Sequence, residues 1–280
     1  MPGLRIAFVS PALNEQLLLR RTVEANLPFM DRLVIVNDGS TDRTGEIADE
    51  LAREHPEKVH VIHQANAGIG GAVKNGMRLL LERDDVDAIG VLASDDQFDP
   101  RLIPRFRRIL EEMPDIDVAK GSRFMHPQSL HAMPSFRKWG NRGVSFVLQL
   151  ALGYWGMSDV LHGYFLARTN VIRKMNFASI ADGYDLENTM MAEFRRLRAT
   201  FALIPSPSRY GEEVSKIVMK KQIPRTIKTV AGMVAKRAVE GPDRLGLALL
   251  VLAPPTLGAT LPVALARMIK TSPKVRRLKR

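Results

Sequence analysis

The 280-residue chain has no cysteine. That excludes disulfides, thiolate nucleophiles and cysteine-ligated zinc, and it suits a reducing compartment. The amino end, "MPGLRIAFVSPALNE", lacks the basic flank and long apolar stretch of a signal peptide, so the bulk of the chain is expected to be cytoplasmic. No Walker A lysine motif occurs, and the glycines of "NAGIGGAVKNG" (66–76) do not follow the G-x-G-x-x-G spacing of a dinucleotide fold. Internal repeats and low-complexity segments are also missing. Acidic residues become scarce toward the carboxyl end. Residues 1–204 carry 25 Lys and Arg against 26 Asp and Glu, a net of −1, whereas residues 205–280 carry 16 against 4, a net of +12. The whole basic excess thus sits in the last quarter, which points to a phosphate-rich partner, either nucleic acid or anionic lipid.

What is present is an alternation of short apolar runs with helical patterns. Strands are expected at 4–10, 32–38, 58–64 and 88–96, and helices at 15–30, 44–55 and 67–84. That spacing predicts an α/β protein, a mostly parallel central sheet flanked by helices. Further strands are expected in "DIDVAKGSRF" (115–124), "GYFLARTNVIRKM" and "TFALIPSPSRYG", and a long apolar helix at 142–159. Ligands bind at the carboxyl ends of such strands. Here those ends read "SPALNE", "NDGSTD", "QANAGIGG" and "ASDDQFDP", all polar, glycine-bearing or acidic.

Leu245–Ala266 runs 22 residues without a charge, interrupted by Pro254-Pro255 and flanked by basic stretches. A bilayer-spanning helix needs about 20 residues. Length and flanks favour contact with anionic lipid over a buried helix pair, and the proline pair suits either a kinked span or a hairpin dipping into one leaflet. The basic stretch carries no known nucleic-acid motif, so no nucleic-acid partner is expected.

Three stretches carry chemistry. In "VNDGSTDRT" (36–44), Asn37 and Asp38 can accept from base or ribose donors, while a plain capped turn is the simpler alternative. In "ASDDQFDP" (93–100), Asp95, Asp96 and Gln97 offer the oxygen donors that Mg²⁺ or Mn²⁺ shares with substrate phosphates; a helix-capping acidic loop would look the same. Lys120 and Arg123 of "KGSRF" offer a grip on phosphate. His162 reads as a packed, hydrogen-bonded histidine.

Taken in order, "PALNE", "VNDGSTDRT", "NAGIGGAVKNG", "SDDQFDP", "KGSRF", "SDVLHGYFLAR" (158–168) and "RYGEEVSK" (209–216) resemble family 2 glycosyltransferases of the GT-A fold, in the dolichyl- or polyprenyl-phosphate sugar transferase branch. The resemblance implies a GT-A catalytic domain over 1–215 and a basic, apolar, membrane-associated helical region over 216–280. It implies Pro11, Leu13, Glu15, Asp38, Ser94 and Asp95 around the nucleotide, and Asp95, Gln97 and Asp96 around a divalent cation, Mg²⁺ or Mn²⁺. Arg123, Arg209, Ser215 and Lys216 fall near the acceptor phosphate. Asp95 and Arg123 would serve the chemistry, with inversion at the anomeric carbon. A lipid-phosphate acceptor needs no strong base, while a hydroxyl acceptor would need one, and Asp185 or Glu187 of "DGYDLENT" is then the candidate. Three positions depart from the family pattern: Ala93 replaces the first carboxylate of Asp-x-Asp, leaving Asp96 as the candidate substitute; Asn37 replaces an acid; His162 replaces a serine. The implied partners are a nucleotide-diphosphate sugar, a polyprenyl-phosphate or other lipid acceptor and a membrane surface at its cytoplasmic face, with room for a homo-oligomer. The alternatives are a same-fold transferase acting on a hydroxyl of a lipid or polysaccharide, and a non-catalytic scaffold that binds nucleotide sugar.

Overall fold

The structure is a computed structural model and describes residues 3–126, 145, 148–149, 152–207, 229, 231–232, 235, 270 and 272–278. Eight strands form one sheet: β1 (Ile6–Ala12), β2 (Arg32–Asp38), β3 (Val59–Gln64), β4 (Ala88–Val91), β5 (Val118–Ser122), β6 (Phe165–Arg168), β7 (Phe201–Pro205) and β8 (Val275–Arg277), in the order β3-β2-β1-β4-β6-β5-β7-β8. Every pairing is parallel except those of β6, which runs antiparallel to β4 and β5. The helices are α1 (Leu19–Asn26), α2 (Thr44–Glu54), α3 (Gly68–Arg83), α4 (Leu102–Glu112), the single turn α5 (Thr169–Ile172) and α6 (Leu186–Arg196).

The strands are apolar on both faces, as a parallel sheet covered by helices requires. On one face Ile6, Phe8, Leu33 and Ile35 pack with the buried sides of α1, α2 and α4. On the other, Ala7, Val9, Val34 and Val36 pack with Val73, Met77 and Leu80 of α3 and Met190, Met191 and Phe194 of α6. The alternation of side chains along each strand sorts the two cores.

Strand and helix order follow the expectation, with instructive shifts. β1 continues to Ala12, and α1 starts only at Leu19; between them Asn14, Glu15 and Gln16 are occupied in bonds to the β2–α2 loop. β4 stops at Val91 rather than reaching residue 96, since Asp96 takes a left-handed φ of 57° that no strand can carry. Of the helix expected at 142–159, Ser145, Leu148, Gln149 and Leu152 are helical, and the remainder of its first ten residues lies outside the described residues.

β8 was not foreseen. Val275–Arg277 stand in the stretch expected to belong to a membrane-associated region, yet they pair with Phe201–Leu203 of β7 as the edge strand of the catalytic sheet. Arg276 pairs with Asp115 at 2.6 Å, and Arg277 Nε donates to the Gly156 carbonyl at 3.0 Å. Basic side chains thus blunt an exposed strand edge. Leu245–Ala266 lies outside the described residues, and among the described residues no helix is long and apolar enough to cross a membrane.

Gly90 shows how tightly the centre is packed. A Cβ there would overlap the Phe8 ring and stand 2.5 Å from the Phe165 carbonyl oxygen. Gly90→Ala is expected to destabilise the fold by about 1–3 kcal/mol, read as a lowered urea midpoint with an unchanged slope.

Candidate active site

β1 has β2 on one side and β4 on the other: the chain winds outward from β1 to β2 and β3, then crosses back through α3 to β4 on the opposite side of β1. Such a switch point opens a crevice beyond the carboxyl ends of the strands. Four motifs meet at this edge: the ends of β1, β2, β4 and β5, joined by the amino end of the antiparallel β6.

The corner beyond β2 explains why "NDGSTDRT" is so polar. Most of its side chains latch the neighbouring loop. Ser40 Oγ accepts from the Asn14 amide at 3.0 Å, Thr44 Oγ1 from the Glu15 amide at 2.7 Å, and Asp42 Oδ2 from the Gln16 amide at 3.3 Å. Asn14 Oδ1 accepts in return from the Thr41 amide at 2.9 Å. Burial pushes the Asp42 carboxyl upward, but the Thr44 hydroxyl and the Thr44 and Gln16 amides outweigh it and hold its pKa low. Asp38, buried, accepts through Oδ1 from Gln64 Nε2 and the Ala67 amide, both at 2.7 Å. Asn37 has an account too: its amide lies 3.0 Å from His63 Nδ1, whose other nitrogen lies 2.9 Å from Asp49, and its Oδ1 accepts from the Ser40 amide. An Nε2–H tautomer satisfies both His63 contacts, with the amide NH₂ donating. An acid at position 37 could not make that donation.

The β4 turn is joined to β1 by Ser94, whose Oγ donates to the Pro11 carbonyl at 2.8 Å while its own carbonyl accepts from Thr22 Oγ1 at 3.2 Å. Pro11 and Ser94 are thereby brought together, with Leu13 and Glu15 on the loop that follows. Asp95 and Gln97 are half-buried, and Asp95 Oδ1 accepts from the Gln97 amide at 3.3 Å. Asp96 turns the other way. Its buried carboxylate receives Arg21 of α1 through both Nε and a terminal nitrogen. This corrects the expectation that Asp96 replaces the carboxylate missing at Ala93: a left-handed backbone swings it into an ion pair with Arg21.

Beside β5 stands a buried charge cluster. Asp159 is fully buried and accepts from the Arg123 amide (3.0 Å), Nε (2.8 Å) and a terminal nitrogen (2.9 Å). Burial works to raise its carboxyl pKa, but the Arg123 bonds and charge pull it well below the usual range. Lys120 projects from β5 into a pocket with Glu187, Val91, Phe165 and Met190, and donates to the His162 carbonyl. Burial drives the Lys120 pKa down to about 8, opposed by Asp159 and Glu187 and assisted by Arg123. Glu187 is shifted upward by burial, against its backbone bond, Lys120 and Arg123. His162 is buried and kept neutral by burial, with Nε2 at 3.0 Å from Ser206 Oγ, the packed histidine expected from the sequence. Asp185 is buried at the start of α6, where Asn188 Nδ2 donates to it at 3.3 Å, rather than a solvated helix start. Arg209, Ser215 and Lys216 lie outside the described residues.

Sequence reasoning missed Asp159. In "SDVLHGYFLAR" an aspartate beside a serine in an apolar stretch is a signal of a buried partner. The "NAGIGG" turn, one of the polar strand ends expected at the ligand edge, receives protein: the Gly70 amide donates to the Asp182 carbonyl at 2.7 Å.

Residues 7–175 match the family described as "Glycosyl transferase family 2". The chain belongs to that family and is a glycosyltransferase. It is similar to an undecaprenyl-phosphate mannosyltransferase of Micrococcus luteus, 31% identical over 72% of this chain and 82% of that protein. It is also similar to a polyprenol monophosphomannose synthase of Mycolicibacterium smegmatis, 28% identical over 64% of this chain and 66% of that one. Among solved structures, glucosyl-3-phosphoglycerate synthase from Mycobacterium tuberculosis, in complex with Mn²⁺, UDP and glucosyl-3-phosphoglycerate, superposes with a TM-score of 0.60 at 20% identity, over 83% of this chain and 81% of that one. That likeness establishes a GT-A-like fold, with the mostly parallel sheet described above.

In this glycosyltransferase the oxygen donors fit a hard divalent cation in one way only. Among the described residues no cluster of three or more His, Asp or Glu could hold an ion by itself. Asp95 and Gln97 therefore suit an ion that takes its remaining oxygens from substrate phosphates and water, as Mg²⁺ commonly does.

Asp159→Asn is expected to cost about 3–5 kcal/mol, because it leaves the Arg123 charge buried without its counter-charge. Since the native carboxyl is depressed, the wild-type advantage is full above the ordinary value of 3.8 and is lost as pH falls below it. Urea titrations of both proteins from pH 3 to 7 check this; a pH-independent difference contradicts it.

Proposed function

We propose that this family 2 enzyme transfers a sugar from a nucleotide-diphosphate sugar to a polyprenyl-phosphate-type lipid, with inversion and with Mg²⁺ or Mn²⁺, at the cytoplasmic face of a membrane. The observation that carries the reading is the convergence of the Asp38 corner, the Asp95–Gln97 turn and the braced Arg123 on one sheet edge. The names of the similar polyprenyl-phosphate mannosyltransferases support the acceptor class.

The chemistry follows from charge. As the sugar leaves, negative charge gathers on the bridging oxygen of the nucleotide diphosphate. A bound divalent cation supplies Lewis-acid stabilisation of that charge. Asp95 and Gln97 hold it, and Asp38, Pro11, Leu13, Glu15 and Ser94 seat the nucleoside. Arg123, locked by Asp159, presents a guanidinium with little freedom left to lose, the preorganisation that makes electrostatic catalysis effective. Arg209, Ser215 and Lys216 then take the acceptor phosphate, which is already ionised and needs no strong base. Transfer to a hydroxyl is the second reading. It is favoured by Glu187, a carboxyl with a raised pKa lining the pocket beside Lys120, as a general base would require.

The assay is transfer from labelled nucleotide sugars to polyprenyl phosphate with Mg²⁺ or Mn²⁺. Asp95→Ala is expected to lower kcat/KM by about 10²–10³-fold. Glu187→Gln separates the acceptors: retained transfer to polyprenyl phosphate supports the lipid-phosphate reading, and abolished transfer to a hydroxyl acceptor supports the second.

Membrane contact is expected through the region after residue 215. Ser206, just after β7, and Ser272, just before β8, flank the intervening stretch, and the two strands are neighbours in one sheet. Where the region after residue 215 meets a bilayer, the sheet that carries both flanks lies on one side of it. The absence of native cysteine makes the test direct. Single cysteines at exposed positions, Glu57→Cys and Lys274→Cys, should both react with an impermeant thiol reagent from the same side of sealed vesicles; opposite labelling defeats this arrangement.

A further inference from the structure

The glycine turn that opens α3 stands at the carboxyl end of β3, and its contacts go to the segment before α6. A Cβ on Gly68 or Gly70 would overlap the backbone oxygens of Asp182 and Ala181. One turn further on, Lys74, 9% exposed, donates Nζ to the Ile180 carbonyl at 2.9 Å and pairs with Asp182 Oδ1 at 2.6 Å. A buried ammonium is tolerated only with such partners.

The same segment is gripped from the other side. The Ala181 amide donates to Thr189 Oγ1 at 3.0 Å, and that hydroxyl donates to the Asp185 carbonyl at 2.9 Å. Just before α3, the Ala67 amide is held by Asp38. A continuous run of bonds thus joins the Asp38 corner, the first turns of α3, Ile180–Asp182 and the start of α6, which bears Asp185 and Glu187.

We propose that Lys74 is a positioning residue that clamps Ile180–Asp182 onto α3 and so sets where Asp185 and Glu187 stand on the acceptor side of the site. Asp182 is its surface partner, and the glycines are the flat bed on which the segment lies. The glycines at 68 and 70 are needed for backbone approach by protein rather than by a ligand. The kinetic part of this inference rests on the transfer reading above; its structural part does not.

The test uses Lys74→Met, Lys74→Arg and, because Asp182 is exposed and its loss is expected to spare the fold, Asp182→Ala. With a hydroxyl acceptor, the reaction in which Asp185 or Glu187 would serve, Lys74→Met and Asp182→Ala should raise the acceptor KM about tenfold while the donor KM moves less than about twofold, and Lys74→Arg should recover most of the loss; with polyprenyl phosphate, which needs neither carboxyl, both KM values should stay within about twofold. A purely structural role would lower the active fraction and kcat with every KM unchanged, and that result overturns the proposal. Hydrogen exchange supplies the second readout. Amides of 181–189 should exchange about tenfold faster in Lys74→Met, with β1 and β4 unchanged; equal exchange in wild type and variant overturns the clamp. Should wild type move no sugar to polyprenyl phosphate, the functional reading falls, and the exchange result still decides the clamp.

Discussion

The pairing of β1 between β2 and β4 is the constraint from which the site follows. A strand flanked by parallel partners on both sides sends its neighbours' loops to the same edge, and here the register puts Pro11 and Ala12 opposite Val36 and Asn37. Ser94 then ties the β4 turn back to Pro11. The crevice is therefore built by backbone pairing in the rigid centre of the molecule, and the loops only decorate it. That division is common where function must sit on mobile segments yet hold a fixed geometry.

The two walls of the crevice are stabilised by different physics. At the β1–β2 corner, short side chains from "NDGSTD" and "ALNEQ" satisfy each other's backbone amides, so two loops behave as one unit. Each such bond contributes about 1 kcal/mol. Beside β5, charges are buried. Asp159 meets Arg123, Lys120 meets a carbonyl, and Glu187 carries the strain of desolvation as a raised pKa. Burying an ion pair seldom adds stability over an apolar replacement. Its persistence beside the crevice suits an enzyme that must hold a guanidinium ready for developing negative charge.

The departures from the family pattern become intelligible side by side. Asn37 keeps a donor for His63. His162 sits neutral between Ser206 and the ring of Phe98, with ring centroids 5.3 Å apart. The Ala93 substitution is not compensated by the neighbouring acid, because Asp96 is pledged to Arg21. One carboxylate and one amide oxygen, those of Asp95 and Gln97, remain at that turn as oxygen donors of the kind a hard cation takes.

Local pattern alone was enough for the order of the first seven strands, the two-faced sheet and three of the crevice loops, those after β1, β2 and β4, because apolar runs of strand length alternating with amphipathic helices admit few other folds. It was also enough for the packed reading of His162. What the linear order could not carry were contacts between residues far apart in the chain. Asp159 lies 36 positions from Arg123, and Asp96 lies 75 from Arg21. β8 joins the sheet through pairing with a strand some 70 residues earlier, in a basic stretch too short to announce itself. Side-chain type names the chemistry a residue can do; only tertiary packing decides which partner reaches it first, because burial and hydrogen bonding are settled by neighbours in space.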